Sequence, residues 1–362
     1  MANNARPSDL RPRLQAIVVR AWTKRGFVAS MLWPVSLVFH MLVWLRRKLY
    51  AYGIFKTQQV DALVVVVGNV VAGGAGKTPT VIALLQHLQA QGYVVGVISR
   101  GYGREGTACT EVLSDSRPQT VGDEPLLIHR VTQAPVFVSR TRFEAARALL
   151  AAYPNTKIII CDDGLQHYGL YRDVEVCVFD DRGCGNGLHL PAGPLRESWP
   201  RSAVLPAGQR NDNLLTLHTG SHPAFAGYIA RRSLAPFAIG RDGATVPLLS
   251  FRAPGAQPLI AIAGIAQPES FFSMLRAVSL PLTETISLPD HYAFDSELLN
   301  ISEGYSIICT EKDAAKLWSI APRAWAVPLV FRPETAFFTA FDAAVSGRLA
   351  AKLSSANGHK TT

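Results

Sequence analysis

The stretch Leu63 to Thr80, LVVVVGNVVAGGAGKTPT, constrains this chain more than any other. Its unbroken apolar run, Leu63–Val67, reads as a strand buried on both faces, the form that strands take in parallel sheets. A glycine-rich turn follows, then Lys77-Thr78, then a helical pattern in VIALLQHLQA. Strand, glycine loop and Lys-Thr at a helix start make a phosphate-binding loop. Gly73, Gly74, Ala75 and Gly76 let backbone N–H groups approach phosphate oxygens, and the helix N-terminus adds partial positive charge. There Lys77 reaches the β- and γ-phosphates and Thr78 offers its hydroxyl to Mg²⁺. The chain departs from G-x-x-x-x-G-K-[ST] at Val71, where that pattern has its first glycine. A plain glycine-rich turn with a coincidental lysine is the alternative, and the strand before and helix after weigh against it.

Another buried strand, KIIICDD over Lys157–Asp163, ends in two aspartates. An apolar strand closing on Asp beside a phosphate loop is the pattern in which a carboxylate holds Mg²⁺, directly or through water. Asp162 and Asp163 therefore join Thr78 as metal candidates. A capping role accounts for one aspartate more readily than for two. Val94–Ser99 is a further strand and runs into Arg100-Gly-Tyr-Gly-Arg104. Ligands bind at the carboxyl ends of strands in open α/β sheets. Arg100 and Arg104 beside flexible glycines suit an anion, although the same composition serves a solvated turn. Asp123, followed by Glu124-Pro125, is placed to cap the helical run LLIHRV.

Strands are also expected at Val136–Ser139, Asp173–Asp180, Ser202–Leu205, Leu259–Ala263, Ile307–Thr310 and Pro328–Phe331. Helices are expected at Thr141–Ala152, from Pro268, from Glu311 and over Glu334–Leu349. The 362 residues suffice for two domains with separate cores, and 48% apolar content excludes a disordered chain. The expected division is a basic N-terminus with an apolar helix (1–50), a phosphate-loop unit (51–215), a poorly periodic crossing (216–256) with room for short strands such as Ala224–Ile229, a second α/β unit (257–350) and a polar tail (351–362).

The N-terminal part is basic up to Arg25. Phe27–Leu45 then runs about 19 residues without a formal charge, near the lower limit for crossing a bilayer. Arg46-Arg47-Lys48 and Tyr50 follow as an interfacial anchor. Pro34, Ser30, Ser36 and His40 leave room for a helix lying in the interface instead of spanning. The net charge of +9 suits an anionic membrane surface or an anionic substrate. Nucleic acid ranks last, because no zinc-finger spacing or aromatic-basic motif is present. The five cysteines form no C-x-x-C and read as free thiols in a reducing compartment.

The loop variant Gly68-Asn69 through Gly73-Gly74-Ala75-Gly76-Lys77-Thr78-Pro79 resembles that of the tetraacyldisaccharide 4'-kinases. Partition-type ATPases use a similar loop with a lysine where Ala72 stands here. Further segments are similar to the kinase family in the same order: Arg100–Arg104, then Asp162-Asp163-Gly164-Leu165-Gln166-His167, then Leu190–Glu197, then Asp290-His291 to Phe294. The resemblance implies a P-loop α/β/α domain plus a smaller α/β/α domain with a cleft between them, and an N-terminal membrane anchor. It implies ATP and Mg²⁺, an anionic glycolipid acceptor and the cytoplasmic side of a bacterial inner membrane. It makes Asp123 the base, oriented or tuned by His291, and places Arg196 near ATP or substrate phosphate. Gln166 and His167 join Arg100 and Arg104 as substrate-facing candidates. The rival readings are a P-loop kinase for another small acceptor and a membrane-tethered nucleotide switch.

Overall fold

The structure, a computed structural model, describes residues 20–201, 213–290, 292, 294 and 304–358, with side chains as far as Lys352. The first half carries α1 (Phe27–Ala51), β1 (Leu63–Gly68), α2 (Lys77–Ala90), β2 (Val95–Ser99), β3 (Thr110–Val112), α3 (Pro118–Val121), α4 (Asp123–Thr132), β4 (Val136–Val138), α5 (Arg142–Ala152), β5 (Ile158–Asp162) and β6 (Val174–Phe179). The second half carries β7 (Leu214–His218), β8 (Tyr228–Leu234), β9 (Phe237–Ile239), β10 (Thr245–Pro247), β11 (Leu259–Ala263), α6 (Pro268–Ala277), β12 (Leu282–Ser287), β13 (Ser306–Thr310), α7 (Glu311–Leu317), β14 (Trp325–Val327), β15 (Leu329–Pro333) and α8 (Thr335–Gly358).

These strands form two sheets. The larger runs β15-β8-β7-β6-β1-β5-β2-β4-β3, and the smaller runs β10-β9-β14-β13-β11-β12. In the larger sheet β1 lies between β5 and β6, parallel to both. Its alternate residues serve opposite faces. Val65 and Val67 pack with Leu84, Leu85 and Leu88 of α2 and with Leu126 of α4, while Val64 and Val66 pack with Leu149 of α5. Two-sided burial explains why β1 has no polar alternation. The strand order reverses at β1, which opens a crevice at its carboxyl end. The phosphate loop sits there. The smaller sheet also has a core on each face, one including Phe271, Phe272 and Leu275 of α6 and the other Ala314 and Leu317 of α7.

Two expectations are corrected. The region 216–256 holds more than a crossing with short strands: β8 begins at Tyr228, near the end of the expected Ala224–Ile229, and joins the large sheet beside β7. This strand, YIARRSL, lies one in from the sheet edge and is rich in polar residues, which hides its periodicity. The last strand and helix were expected to complete the second unit. Instead β15 pairs antiparallel with β8, with Phe331 opposite Arg232. Helix α8 then lays Phe337, Phe341 and Val345, an i, i+4, i+8 stripe, into the core of the large sheet. Pro328 separates β14 from β15 by one residue and cannot donate to a ladder, so the chain changes sheets there. The expected strand at Ser202–Leu205 lies outside the described residues.

Helix α1 is 25 residues long and apolar enough to cross a membrane. Among its large side chains, Phe27, Met31, Trp33, Val38, Met41, Leu42 and Trp44 are exposed. Its other face lies on the loop that follows β6. Ser36 Oγ donates to His189 O at 2.6 Å, and the rings of His40 and His189 meet at 3.1 Å. Before the helix, Trp22 Nε1 donates to Pro191 O and Arg25 Nε to Asn186 O.

If α8 belongs to the large-sheet core, Phe337→Ala should destabilise the phosphate-loop unit by about 3–5 kcal/mol. Urea unfolding followed by fluorescence checks this.

Candidate active site

The phosphate loop connects β1 to α2. Gly76 caps α2 with a left-handed φ of 87°, and a Cβ there would collide with the Arg232 guanidinium. Only glycine fits. Lys77 opens the helix, and its Nζ lies 3.5 Å from Asp163 Oδ1. Arg196 Nη1 approaches the same oxygen at 3.6 Å. Three residues predicted from separate motifs thus meet at one point.

Asp163 reaches that point from a left-handed backbone, φ 47°, which aspartate tolerates better than most side chains. Arg142, buried at the start of α5, holds the turn: its Nη2 donates to the carbonyls of Asp162 at 3.0 Å and Asp163 at 3.2 Å. Burial pushes the Asp163 carboxyl up, but Lys77, then Arg196 and Arg142, outweigh burial and hold it below the usual carboxylate range. Asp162 behaves oppositely. Burial, then Glu124 and Asp163, push its carboxyl up to about 7. Its Oδ2 accepts from Ser99 Oγ at 3.3 Å, and its Oδ1 is buried with no hydrogen-bond partner. A buried carboxylate oxygen left over beside a phosphate loop fits a hard divalent cation. Among the described residues no cluster of three acidic, His or Cys side chains could hold a metal unaided. Mg²⁺ commonly binds through one or two carboxylates plus substrate phosphates, so this donor set suits it.

Gln166 turns its amide to Asn69 O at 3.0 Å, and Asn69 Nδ2 donates to Gly73 O, so this motif braces the phosphate loop. His167 lies among cations. Burial, then Arg142, Arg100 and Arg46, push its ring down to about 4. Arg100 and the α1 residue Arg46 therefore converge near His167. Arg104 folds back over its own loop, where a Cβ on Gly101 would lie 2.7 Å from its Cδ.

Asp123 does not cap its helix. Gly122 takes the cap position, and the Asp123 side chain accepts from Lys316 Nζ at 2.6 Å. A short charge-assisted bond at a buried site outcompetes the cap. Lys312, one helical turn away on α7, donates to Glu124 Oε1 at 3.2 Å and Asp290 Oδ1 at 2.9 Å. Lys316 Nζ also donates to Tyr292 O at 3.3 Å. His291 lies outside the described residues, although both its chain neighbours are held by these lysines. Between α2 and the second sheet a cavity of about 360 Å³ reaches the loop at Gly74–Pro79, Thr78 included. Leu127, Phe271, Met274 and Phe331 wall it, with Glu124 and Lys312 at its edge.

Sequence reasoning missed several participants. Lys312 and Lys316 carried a signal, an i, i+4 lysine pair on a helix starting at a strand end. Asp180 carried one too, since VCVFDD after Glu175 repeats the apolar-strand-then-aspartates pattern of β5. Arg142, Arg182, Arg232 and Gln267 carried none. A buried ion network was also not foreseen. Arg201 contacts Glu175 at 3.2 Å and Glu197 at 3.1 Å, and Arg172 contacts Glu175 at 3.1 Å.

A β-strand–glycine loop–Lys-Thr helix on a parallel sheet, facing paired aspartates, defines a P-loop phosphotransferase. The sequence model of the family described as Tetraacyldisaccharide-1-P 4'-kinase, LpxK, matches residues 28–346. A tetraacyldisaccharide 4'-kinase of Polaromonas naphthalenivorans (strain CJ2) is 51% identical over 353 residues, covering 96% of this chain and 100% of that protein. One of Acidovorax sp. (strain JS42) is 50% identical, covering 95% of this chain and 97% of that protein. A crystal structure of LpxK from Aquifex aeolicus in complex with ATP superposes with a TM-score of 0.73 at 25% identity, over 89% of this chain and 99% of that one. The chain belongs to the tetraacyldisaccharide-1-P 4'-kinase family.

Two outcomes follow from the geometry. Arg201→Met leaves two buried carboxylates without their shared partner and should cost about 3–5 kcal/mol in urea unfolding. The His167 ring takes its proton near 6.5 when unfolded but only near 4 when folded. Between those values the unfolded chain binds more protons, so the stability share of His167 is lost as pH falls through that window. His167→Gln should flatten the decline between pH 6.5 and 4 in thermal melts.

Proposed function

We propose that this chain transfers the γ-phosphoryl group of ATP to the 4'-hydroxyl of tetraacyldisaccharide 1-phosphate, forming the bis-phosphorylated lipid A precursor. The observation that carries the reading is the convergence of Lys77, Asp163 and Arg196 beside the phosphate loop in a chain of this family. Phosphoryl transfer demands positioning and charge stabilisation more than covalent chemistry. The amides of Gly73–Gly76 and the ammonium of Lys77 hold the triphosphate, with Pro79 in the first helical turn. Arg196 adds a second cation there. The apolar cavity beside α2 offers the adenosine end a dry wall.

Thr78, Asp162 and Asp163 would hold Mg²⁺, which when bound neutralises charge on the β- and γ-phosphates. Asp123 is the general base and takes the proton of the 4'-hydroxyl as that oxygen bonds to phosphorus. ADP leaves as the bond from the γ-phosphorus to the bridging oxygen breaks. His291 assists Asp123, and Lys316 fixes the carboxylate from the opposite unit. Arg100 and His167 face the anionic acceptor, with Arg104 at the rim of that loop.

The acceptor's acyl chains stay in the membrane, which gives α1 its purpose. Contacts with the body of the protein run from Trp22 through Ser36 and His40 to Tyr50, whose ring lies 5.5 Å from that of Tyr168. A helix that touches the protein along one narrow face and leaves its large apolar side chains exposed is suited to lying in the interface with that exposed face in the acyl region. Lys24, Arg25, Arg46 and Lys48 would meet anionic headgroups on the cytoplasmic side of the inner membrane.

The test is transfer of ³²P from ATP to tetraacyldisaccharide 1-phosphate in detergent micelles. Label should enter the lipid, vanish with Lys77→Ala and fall about 10²–10⁴-fold with Asp123→Asn. Full activity in Asp123→Asn would remove the base assignment. ATP hydrolysis without labelled lipid would overturn the acceptor.

A further inference from the structure

The carbonyl side of the phosphate loop is held by side chains from four segments. Gly74 O accepts from Arg182 Nη2 and from Gln267 Nε2, each at 3.2 Å. Ala75 O accepts from Thr219 Oγ1 at 2.8 Å and from Arg232 Nη2 at 3.3 Å. Asp180 ties two of these donors together, accepting at Oδ2 from Arg182 Nη2 at 2.7 Å and from Gln267 Nε2 at 2.6 Å. Arg182 follows β6, Thr219 follows β7 and Arg232 lies on β8. Gln267 alone belongs to the second unit, just before α6.

A trans peptide is planar, and its C=O and N–H point opposite ways. Pinning the carbonyls of Gly74 and Ala75 outward therefore turns the N–H groups of Ala75 and Gly76 to the other side of the loop. Among the described residues no acceptor takes either N–H. Those are the groups an anion needs. The second unit is seated closely here: a Cβ on Gly74 would lie only 2.8 Å from Ala266 Cβ.

We infer that Gln267 is a positioning residue for the phosphate loop, through which the second unit sets the direction of the amides at Ala75 and Gly76. Three of the four donors stay with the large sheet wherever the second unit sits. Gln267 leaves with it. Nucleotide affinity thereby depends on the seating of a unit that contributes no residue to the loop itself. The inference rests on the loop's reading as the ATP site and adds a control to it.

The test compares the full-length parent, Gln267→Leu and Gln267→Glu in detergent. It reads binding of a fluorescent ATP analogue, steady-state constants for both substrates, and Tm. Losing one neutral hydrogen bond to the loop should weaken nucleotide binding about three- to tenfold in Gln267→Leu. Gln267→Glu sets a second carboxylate against Asp180 and the Gly74 carbonyl, and should weaken it further. KM for ATP should rise in step, with KM for the lipid acceptor as in the parent and only a small fall in Tm from the bond to Asp180 that is lost with it. Unchanged nucleotide binding in both variants would overturn the inference. So would parallel losses in ATP binding, acceptor KM and Tm, the mark of a general interface contact. A parent that binds no analogue would overturn the ATP reading itself, and this inference with it.

Discussion

The Arg201 guanidinium is sealed from solvent, so protein carboxylates must take the place of its hydration. Glu175 and Glu197 supply them, and all three side chains are essentially inaccessible. Such a network is costly to bury and stable only when its geometry is well met. Here its spare donors also organise the site. Arg201 Nη2 and Arg172 Nη1 donate to Leu165 O, and Arg172 Nη2 donates to His167 O. The turn that carries Asp163, Gln166 and His167 is thus nailed to the sheet by buried cations. Glu197 follows Arg196 directly, so the same network delivers Arg196 to Asp163. Arg47 reaches Glu197 at 3.9 Å, which extends the network to α1.

The other half of the site is made across the two sheets. Lys312 and Lys316 project from α7 onto Glu124 and Asp123 at the first turn of α4. Gln267 reaches the phosphate loop from the head of α6. Each contact is polar and at least half-buried. The large sheet therefore carries the phosphate loop and the paired aspartates, while side chains from the smaller sheet's unit brace the loop and the head of α4.

The elements of both sheets that are buried on two faces were legible from sequence, because continuous apolar runs such as Leu63–Val67, Ile158–Cys161 and Leu259–Ala263 have few other uses. The outer end of the large sheet was legible only in part. β8 has three polar residues in seven, and β15, expected as a strand, pairs with it from roughly a hundred residues away, a pairing that no local pattern reveals. The phosphate loop, Lys77 and the paired aspartates were legible because their residue types and spacing follow from the chemistry. Arg142 and Gln267 were not, since each acts through a backbone carbonyl whose position only the fold determines. Asp123 illustrates both sides. Its local pattern pointed to a helix cap, and a distant lysine took the carboxylate instead.

The chain leaves the large sheet after Leu234, builds the smaller sheet, and returns at Leu329. The two crossings run side by side, with Ala235 N donating to Pro328 O at 2.9 Å. The second unit is therefore an insertion within the first. Domains commonly fold in order as the ribosome releases them. This arrangement forbids that order. The phosphate-loop unit lacks β15 and the Phe337–Phe341 stripe until nearly the whole chain has emerged, whereas the inserted unit is complete sooner. The nascent large sheet must wait with an open edge and an uncovered apolar face, and that interval is where a chaperone would find its substrate.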